Sequence, residues 1–489
     1  MTRTWRTALL VGILGLAAVL TVLLTHRSRS RTNLLKYKAQ LRARGEKLTL
    51  AELTQSRSTQ FNNGLQLLTN AVKKLAWGGL SPGLLQTRNF VGPGQALPAW
   101  ELPLPSAAMS GTQATWENFS VQLEANAAVI AELREVLKNP PVDAGPRTNF
   151  FHQPVNDFVA IRTVAQWLMA DASNELRLGL RDKALDDLVA LGGLARMNSG
   201  ELNLVGQMIR TAVTGLGIAV TWDALQSPGW TEPELERLQK AWEPVDLRDG
   251  LERAFLGERA YSDEFFNDIQ GFSRTRRLMG MPSSSSISDF AADHIVLPAY
   301  KMTVAADDEM LHLRSMQDTI DALRDMKQNG SWKQAATTLN ATVAKIGKIG
   351  ASPQGFMFWF SRIAIPNTVK AVNTGIRIET DRQLLLAAIA IKRFQFRHGQ
   401  LPMSLNDLAP EFLDKVPRDY MSTGPLSYRV APEGFLLYSA GEDGRDDGGS
   451  AAPRAGNRFG LWEGRDAVWP SNPSKNAKAN KGVPRVPLQ

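Results

Sequence analysis

Residues 399–449 read GQLPMSLNDLAPEFLDKVPRDYMSTGPLSYRVAPEGFLLYSAGEDGRDDGG. A helix rich in Leu, Ala and Ile is predicted at 378–398, and it runs into Gly399 and Pro402, residue types that commonly end a helix. Short apolar stretches separated by Pro and Gly follow, which predicts short strands joined by turns. A Gly-rich acidic loop closes the segment. We therefore expect a small α+β module at residues 376–450, beginning after Gly375.

The order of these elements follows a recurring pattern: a helix, a G-x-x-P-x-S-L-x-x-L turn, a P-x-D loop, a strand with Gly, Pro and Tyr, and a final G-F-x-L-x-S-x-G-x-D-G strand and loop. The residues that match it are Gly399, Pro402, Ser404, Leu405, Leu408, Pro417, Asp419, Gly424, Pro425, Tyr428, Gly434, Phe435, Leu437, Ser439, Gly441, Asp443 and Gly444. This pattern resembles the soluble part of the major pseudopilins of type II secretion. The resemblance implies that the C-terminus lies outside the cytoplasm.

The chain is not itself a processed pseudopilin subunit, because its N-terminus lacks the Gly-Phe processing site and the glutamate that follows it in that family. The whole plan, an anchor followed by a long helical body and a pseudopilin-like end, resembles large membrane-anchored helical proteins of planctomycetes and verrucomicrobia. That second resemblance implies no activity.

Composition narrows the function classes. The chain contains no cysteine, which excludes disulfides, thiolate metal sites and cysteine nucleophiles. The net charge of +8 is unevenly distributed: residues 27–47 contribute +7 and residues 451–489 contribute +5, and with +2 from residues 1–26 this leaves −6 for residues 48–450. A nucleic-acid-binding protein needs its basic residues on the folded surface, so this distribution argues against a nucleic-acid partner.

The N-terminus carries a candidate membrane anchor at residues 8–24, ALLVGILGLAAVLTVLL, which contains no charge. As a helix this stretch is about 26 Å long, close to the thickness of a bilayer core. It ends in Thr25-His26-Arg27 instead of small residues, so we expect an uncleaved anchor and not a signal peptide. The expected partner of this segment is the lipid bilayer.

The two signals for orientation disagree. Seven basic residues between 27 and 44 outnumber Arg3 and Arg6, which by the positive-inside rule favours a cytoplasmic body. The pseudopilin resemblance implies an exported body, and basic residues beyond an anchor can also bind anionic headgroups from outside. We expect a single-pass protein of the inner (cytoplasmic) membrane with a periplasmic or extracytoplasmic body.

The predicted fold class is mainly α: one N-terminal transmembrane helix, a large all-helical body and the small C-terminal α+β pseudopilin-like module. Thr49 and Glu52, like Thr231 and Glu234, have the spacing of a capping box. Phe61, Leu65, Leu68, Val72 and Leu75 form one helical face, which we expect to contact the body. The expected segments are an anchor at 1–26, basic and amphipathic helices at 27–77, a Gly/Pro-rich ordered loop or linker at 78–114, the helical body at 115–375, the module at 376–450 and a basic, largely disordered tail at 451–489.

Two clusters could carry chemistry. Asp308 and His312 lie four residues apart on a predicted helix, downstream of Asp289, Asp293 and His294, and such residues would have to converge to hold zinc. A solvated helix face explains the same charges equally simply.

The acidic loop places Asp443, Asp446 and Asp447 among glycines, and hard oxygen ligands on a flexible turn suit calcium. The major pseudopilins bind calcium in their corresponding loop, although the family's further acidic residues are replaced here by Ser450-Ala-Ala-Pro453. A polar turn held by bonds from Asp to the backbone is the alternative.

The sequence predicts no catalytic residues. It favours a non-enzymatic, membrane-anchored envelope protein with a structural or protein-interaction role, linked to type II secretion-like machinery or other envelope proteins. The alternative is an envelope hydrolase with its site around His294 and His312.

Overall fold

The computed structural model describes residues 3–53, 59–78, 81–104, 114–140, 155–197, 199–267, 290–351, 355, 358–432, 434–454 and 458–473. Within these ranges the protein is mainly helical, as predicted, with two small antiparallel sheets. Helices α1–α7 are Arg3–Ala43, Leu50–Leu53, Thr59–Lys74, Trp116–Ala125, Ala127–Lys138, Val155–Arg177 and Arg181–Arg196. Helices α8–α14 are Leu204–Leu225, Glu232–Trp242, Leu247–Asn267, Leu297–Thr303, Ala305–Asn329, Lys333–Gly350 and Trp359–His398, and a π-helical turn, Ala292–Val296, precedes α11. Strands β1 and β2 are Asn89–Gly92 and Gln95–Leu97; strands β3, β4 and β5 are Ser427–Ala431, Gly434–Ser439 and Ala467–Val468.

The N-terminal region differs from the prediction in one respect. We expected the anchor to end at residue 26 and a separate basic helix to follow, but α1 is a single 41-residue helix. No Pro or Gly lies between Gly15 and Gly45, so nothing in the sequence interrupts the backbone hydrogen bonds there. Gly45, with φ of +82°, follows the helix end as predicted.

The predicted caps and the amphipathic face are confirmed. The Glu52 carboxylate accepts hydrogen bonds from the backbone N–H and the hydroxyl of Thr49, and Thr231 and Glu234 form a capping box at the start of α9. On α3, Leu65, Leu68 and Leu75 are buried in the main hydrophobic cluster of the body. A helical sequence with this periodicity therefore docks on the body through its apolar face.

Two buried clusters form the core, and α14 belongs to both. The main cluster contains side chains of α3 and α5–α9, and it includes Leu384 to Ile391 from the second half of α14. The second cluster joins α10, α12 and α13 to Ile365–Ile376 in the first half of α14. Gly375, the expected domain junction, lies inside this 40-residue helix. A Cβ there would lie 2.7 Å from a methyl of Leu251, so the glycine permits close contact between α10 and α14 instead of ending a domain.

The Gly/Pro-rich loop and the C-terminal tail are more ordered than expected. Residues 81–104 include the β1–β2 hairpin, and the buried carboxylate of Asp223 accepts hydrogen bonds from the N–H groups of Arg88 and Ala99. In the region expected to be a disordered tail, β5 pairs with β4. The Trp222 indole donates to the Pro470 carbonyl at 2.9 Å. The few apolar residues of the tail are thus enough to order residues 458–473 on the body; residues 474–489 lie outside the described part.

Among the described residues, the one helix that is long and apolar enough to cross a membrane is α8, with a mean hydropathy of 1.3. It is 67% buried and contacts α6, α7, α10 and α14, as a core helix does. The anchor predicted at 8–24 stays a prediction.

Candidate functional site: the attachment of the N-terminal helix to the body

The N-terminal part of α1 presents apolar side chains that no other part of the protein covers. Val11, Leu14 and Val22 are 70%, 67% and 65% exposed. The hydroxyls of Thr21 and Thr25 donate back to the carbonyls of Ala17 and Thr21 at 2.8 Å, so the helix satisfies these polar groups internally. A long, uncovered apolar surface of this kind is unfavourable in water and marks an interaction surface.

The C-terminal half of α1 lies along α12. Leu34 and Leu41 are buried against Leu313, and Arg314 lies over the ring of Tyr37 at 5.3 Å. Because these contacts recur at steps of three and four residues, one face of the helix is covered and the opposite face is exposed.

Charged pairs follow the same seam and fix its direction. The His26 imidazole lies 3.0 Å from the Asp307 carboxylate, the Lys38 ammonium contacts Glu309, and the Arg44 guanidinium lies 3.2 Å from Asp321. Both series of residues rise together, so α1 and α12 run parallel from His26 onwards. The body therefore begins at the residue level where the apolar stretch ends.

A buried carboxylate closes the seam just beyond α1. Glu46 is 9% exposed, and its oxygens lie against the guanidinium groups of Arg259, at 3.0 Å, and Arg324. Gln317 also donates to it, at 3.3 Å. Burial alone would raise the pKa of Glu46, but the hydrogen bonds and charges of the two arginines hold it below its ordinary value. Sequence reasoning counted Glu46 only as one charge among basic residues and missed this role.

The predicted Asp/His zinc cluster is not assembled in the described residues. Asp308 is fully buried, and it accepts hydrogen bonds from the Tyr300 hydroxyl at 2.6 Å and from the N–H groups of Phe360 and Ser361 at the start of α14. Burial lowers the pKa of His312 to about 3, so this imidazole is neutral. Asp308 therefore serves as a cap for α14.

The remaining histidine of that cluster lies elsewhere. His294 is exposed and stacks on Phe290 with ring centroids 4.1 Å apart. Asp293 is half-buried on the same turn, and Asp289 lies outside the described residues. The geometry on which a hydrolase at His294 and His312 would depend is thus missing from the described part of the chain.

The acidic loop is organised by a residue that the sequence did not single out. Asp466 is fully buried, and its carboxylate accepts the backbone N–H groups of Asp447, Gly449 and Ser450 at 3.2, 2.8 and 2.8 Å. Asp446 accepts from the Tyr438 hydroxyl at 3.0 Å and Asp443 from the backbone N–H of Arg445 at 3.0 Å. These bonds are those of a polar turn, and calcium at Asp443, Asp446 and Asp447 stays a prediction.

A second group of carboxylates was also missed. Asp171 and Glu175 on α6 and Asp187 on α7 are the described residues whose ligand oxygens lie within 4.8 Å of one another. Arg134 on α5 donates to all three, at 2.8 Å to Asp171, 3.2 Å to Glu175 and 2.5 Å to Asp187. The spacing of Asp171 and Glu175 was visible in the sequence, whereas the approach of Asp187 and Arg134 depends on tertiary packing.

This acidic cluster takes up protons instead of needing a metal. Burial raises the pKa of Asp171 to about 6 and that of Glu175 to about 7, against the attraction of Arg134. One guanidinium cannot neutralise three buried carboxylates, so protonation supplies the remaining compensation. Its central Arg134 occupies the position that a cation would take.

No protein-family model matches this chain, and no curated protein or solved structure shows significant similarity to it. The pseudopilin resemblance therefore rests on the C-terminal residues quoted above.

Proposed function

We propose that this protein is a single-pass, membrane-anchored envelope protein with a structural or protein-interaction role. The observation that carries the proposal is the construction of α1. Its apolar N-terminal part is uncovered from Val11 to Leu24, whereas its C-terminal half is held by α12 and by Glu46. Because the helix is continuous, the body is joined rigidly to whatever surrounds the apolar part. A lipid bilayer satisfies an uncharged helical stretch of this length.

We place the body on the extracytoplasmic side of the inner membrane, on the basis of the pseudopilin-like residues. The order of elements expected there is present: α14 ends at Gly399, a turn capped by Ser404 follows at Leu405–Leu408, and the β3–β4 hairpin comes next. The module is built into the main core through Leu405, Leu408 and Leu437, so it would act as part of the body. Its expected partners are secretion-like or other envelope proteins.

Membrane extraction tests the anchor. Leu14→Lys/Val22→Lys places two charges in the apolar part of α1, at a cost of a few kcal/mol each in a bilayer, and should release the protein to the soluble fraction. Leu35→Lys is the matched control, since Leu35 is 58% exposed on the same helix beyond that part. It should leave the protein in the membrane fraction. Release of neither variant, or of both, would contradict the proposal.

Topology is tested separately. Reporter fusions after residue 60 and at the C-terminus should both give the signal of an exported protein. Cytoplasmic signals from both fusions would reverse the orientation and would remove the argument from the pseudopilin resemblance, while leaving the anchor itself in place.

A further inference from the structure

The segment around α11 has two chemically distinct faces. Its inner side chains, Leu297 and Val304, are each 5% exposed, and Leu297 contacts an aromatic cluster that contains Phe265, Phe266 and Phe360. Its outer side chains include Ile295 and Met302, which are 67% and 54% exposed. Since positions 295, 299 and 302 recur at helical spacing, Ile295, Ala299 and Met302 form one apolar stripe directed away from the body.

Two further exposed apolar side chains extend this stripe. Val296 is 53% exposed, and Phe290, stacked on His294, is 62% exposed. Single exposed apolar residues are ordinary, but a contiguous group on a short helix marks an interaction surface. We refer to Phe290, Ile295, Val296, Ala299 and Met302 as the α11 apolar surface.

The position of this surface points to its occupant. Helix α11 contacts α1. Asp307, four residues beyond the end of α11, lies 3.0 Å from His26, which is the second residue after the apolar stretch 8–24. The α11 apolar surface therefore lies beside α1 at the level where α1 would leave the bilayer.

We propose that the α11 apolar surface enters the boundary between lipid headgroups and acyl chains, as a second membrane contact beside the anchor. This inference rests on the proposed anchoring of α1. The surrounding charges fit an interface with anionic lipid: Arg29 and Arg31 on α1 are exposed, and Lys301 borders the apolar stripe. The surface is too small to hold a free protein on a membrane, but the anchor keeps it close to the bilayer, so its insertion is effectively intramolecular.

The second contact has a structural consequence. A single spanning helix leaves the body free to tilt about the membrane normal, whereas α1 and α11 together fix one side of the body against the lipid. The surfaces of the main core cluster and of the β3–β4 hairpin are then held away from the membrane, where envelope partners can reach them.

The absence of cysteine from the chain makes a direct test available, because one introduced cysteine can carry one environment-sensitive fluorophore. The full-length variants Ile295→Cys and Met302→Cys report the α11 apolar surface. Leu14→Cys reports the anchor, and Val121→Cys, at a residue that is 70% exposed on α4, is the aqueous control. Each labelled protein is reconstituted in vesicles of phosphatidylcholine and phosphatidylglycerol with or without nitroxide-labelled lipid. Equal thermal midpoints in detergent establish that the labelled variants are folded.

The expected result is quenching by lipid nitroxide at positions 14, 295 and 302 and none at 121, with positions 295 and 302 at a depth of about 5–10 Å, typical of interfacial helices. Quenching at 14 with aqueous behaviour at 295 and 302 would overturn this inference and leave the anchor standing. Shielding of 295 and 302 from aqueous iodide without nitroxide quenching would assign the surface to a second copy of the chain. Absence of quenching at all positions would remove both the anchor and the inference.

Discussion

Arg324 on α12 donates hydrogen bonds to both carboxylate oxygens of Glu46, which lies 278 residues earlier in the chain. Both oxygens are withdrawn from water, and Arg259, whose side chain has no exposed surface, contacts the same carboxylate. This contact fixes the end of α1 to the body. It is the point through which any force or tilt on the N-terminal helix reaches the helical core.

The first prediction concerns this contact. Glu46→Gln removes the charge at nearly constant volume and leaves Arg259 buried without its partner, so the free energy of unfolding should fall by about 3 kcal/mol. The control is Glu135→Gln, because Glu135 is 72% exposed in its pair with Lys138 and its loss should cost less than about 0.5 kcal/mol. Denaturant unfolding of the full chain in detergent measures both variants. Equal effects of the two would show that Glu46 does not hold the helix.

The pH dependence of the same contact has a definite sign. The folded-state pKa of Glu46 is lowered, so its contribution to stability is present above the unfolded pKa of about 4.3 and is lost as the pH falls through the folded value. The difference between wild type and Glu46→Gln should therefore be constant from pH 6 to pH 8, within the range where Glu46 stays ionised, and should shrink in acid. A difference that grows in acid would contradict the assignment.

The second prediction concerns the acidic cluster at Arg134. The folded-state pKa of Glu175 is raised by burial to about 7, so the folded protein binds more protons than the unfolded chain between about pH 4 and pH 7. The corresponding stability is fully present below pH 4 and is lost as the pH rises through about 7. Glu175→Gln should remove this loss, and relative to wild type it should gain about 2 kcal/mol at pH 8.

Unfolding at several pH values, with Glu135→Gln as the exposed control, checks this second prediction. The same measurement at pH 8 with added magnesium or calcium tests the metal alternative. If either ion stabilised the wild type and not Glu175→Gln, the cluster would be a cation site and the proton-based explanation would fail.

Most helices were predictable from the sequence because apolar periodicity and caps are local. Helix α6 was expected at 156–180 and is Val155–Arg177; α8 was expected at 203–226 and is Leu204–Leu225. The errors occurred where tertiary contacts outweighed local signals. Gly375 looked like a break but provides space for Leu251.

The candidate contacts were less predictable than the fold. Glu46 meets Arg324 across 278 residues, and no local spacing reports such an approach. The C-terminal tail looked disordered because its apolar residues are few, yet Trp469 is buried at 8% exposure. The single carboxylate of Asp466 satisfies three backbone groups. A few well-placed tertiary contacts were enough to order a segment whose composition suggested disorder.

The third prediction separates the two explanations of the acidic loop. Asp466→Asn weakens the acceptor of three backbone hydrogen bonds and should lower the thermal midpoint of the full chain clearly, since each unsatisfied buried group costs about 1–3 kcal/mol. Asp443→Ala, at a side chain that is 43% exposed, should change the midpoint little. Equal effects of the two variants would mean that Asp466 does not organise the loop.

Calcium addition completes the test of this loop. If calcium binds the folded loop, it must raise the midpoint by mass action, and the rise must disappear in Asp443→Ala/Asp446→Ala and with excess chelator. An unchanged wild-type midpoint would leave the loop as a polar turn.

The last prediction concerns the contact between α10 and the segment that leads into α8. A methyl group at Gly257 would meet the Leu202 carbonyl oxygen and would lie 2.7 Å from its carbonyl carbon and 2.8 Å from its Cβ. The neighbouring Glu258 accepts the N–H of Leu204 at 2.8 Å, which holds the first turn of α8 in place, so neither backbone can move aside freely. Gly257→Ala should therefore destabilise the body by about 2–3 kcal/mol, the range for overpacking a close contact. Gly347→Ala is the matched control: it also lies inside a helix, with no atom within 4 Å of the added methyl group. Because alanine has the higher helix propensity, this control should stabilise the protein by up to about 1 kcal/mol. Opposite shifts of the two unfolding midpoints are expected, and a neutral Gly257→Ala would show that α8 and α10 are not in close contact.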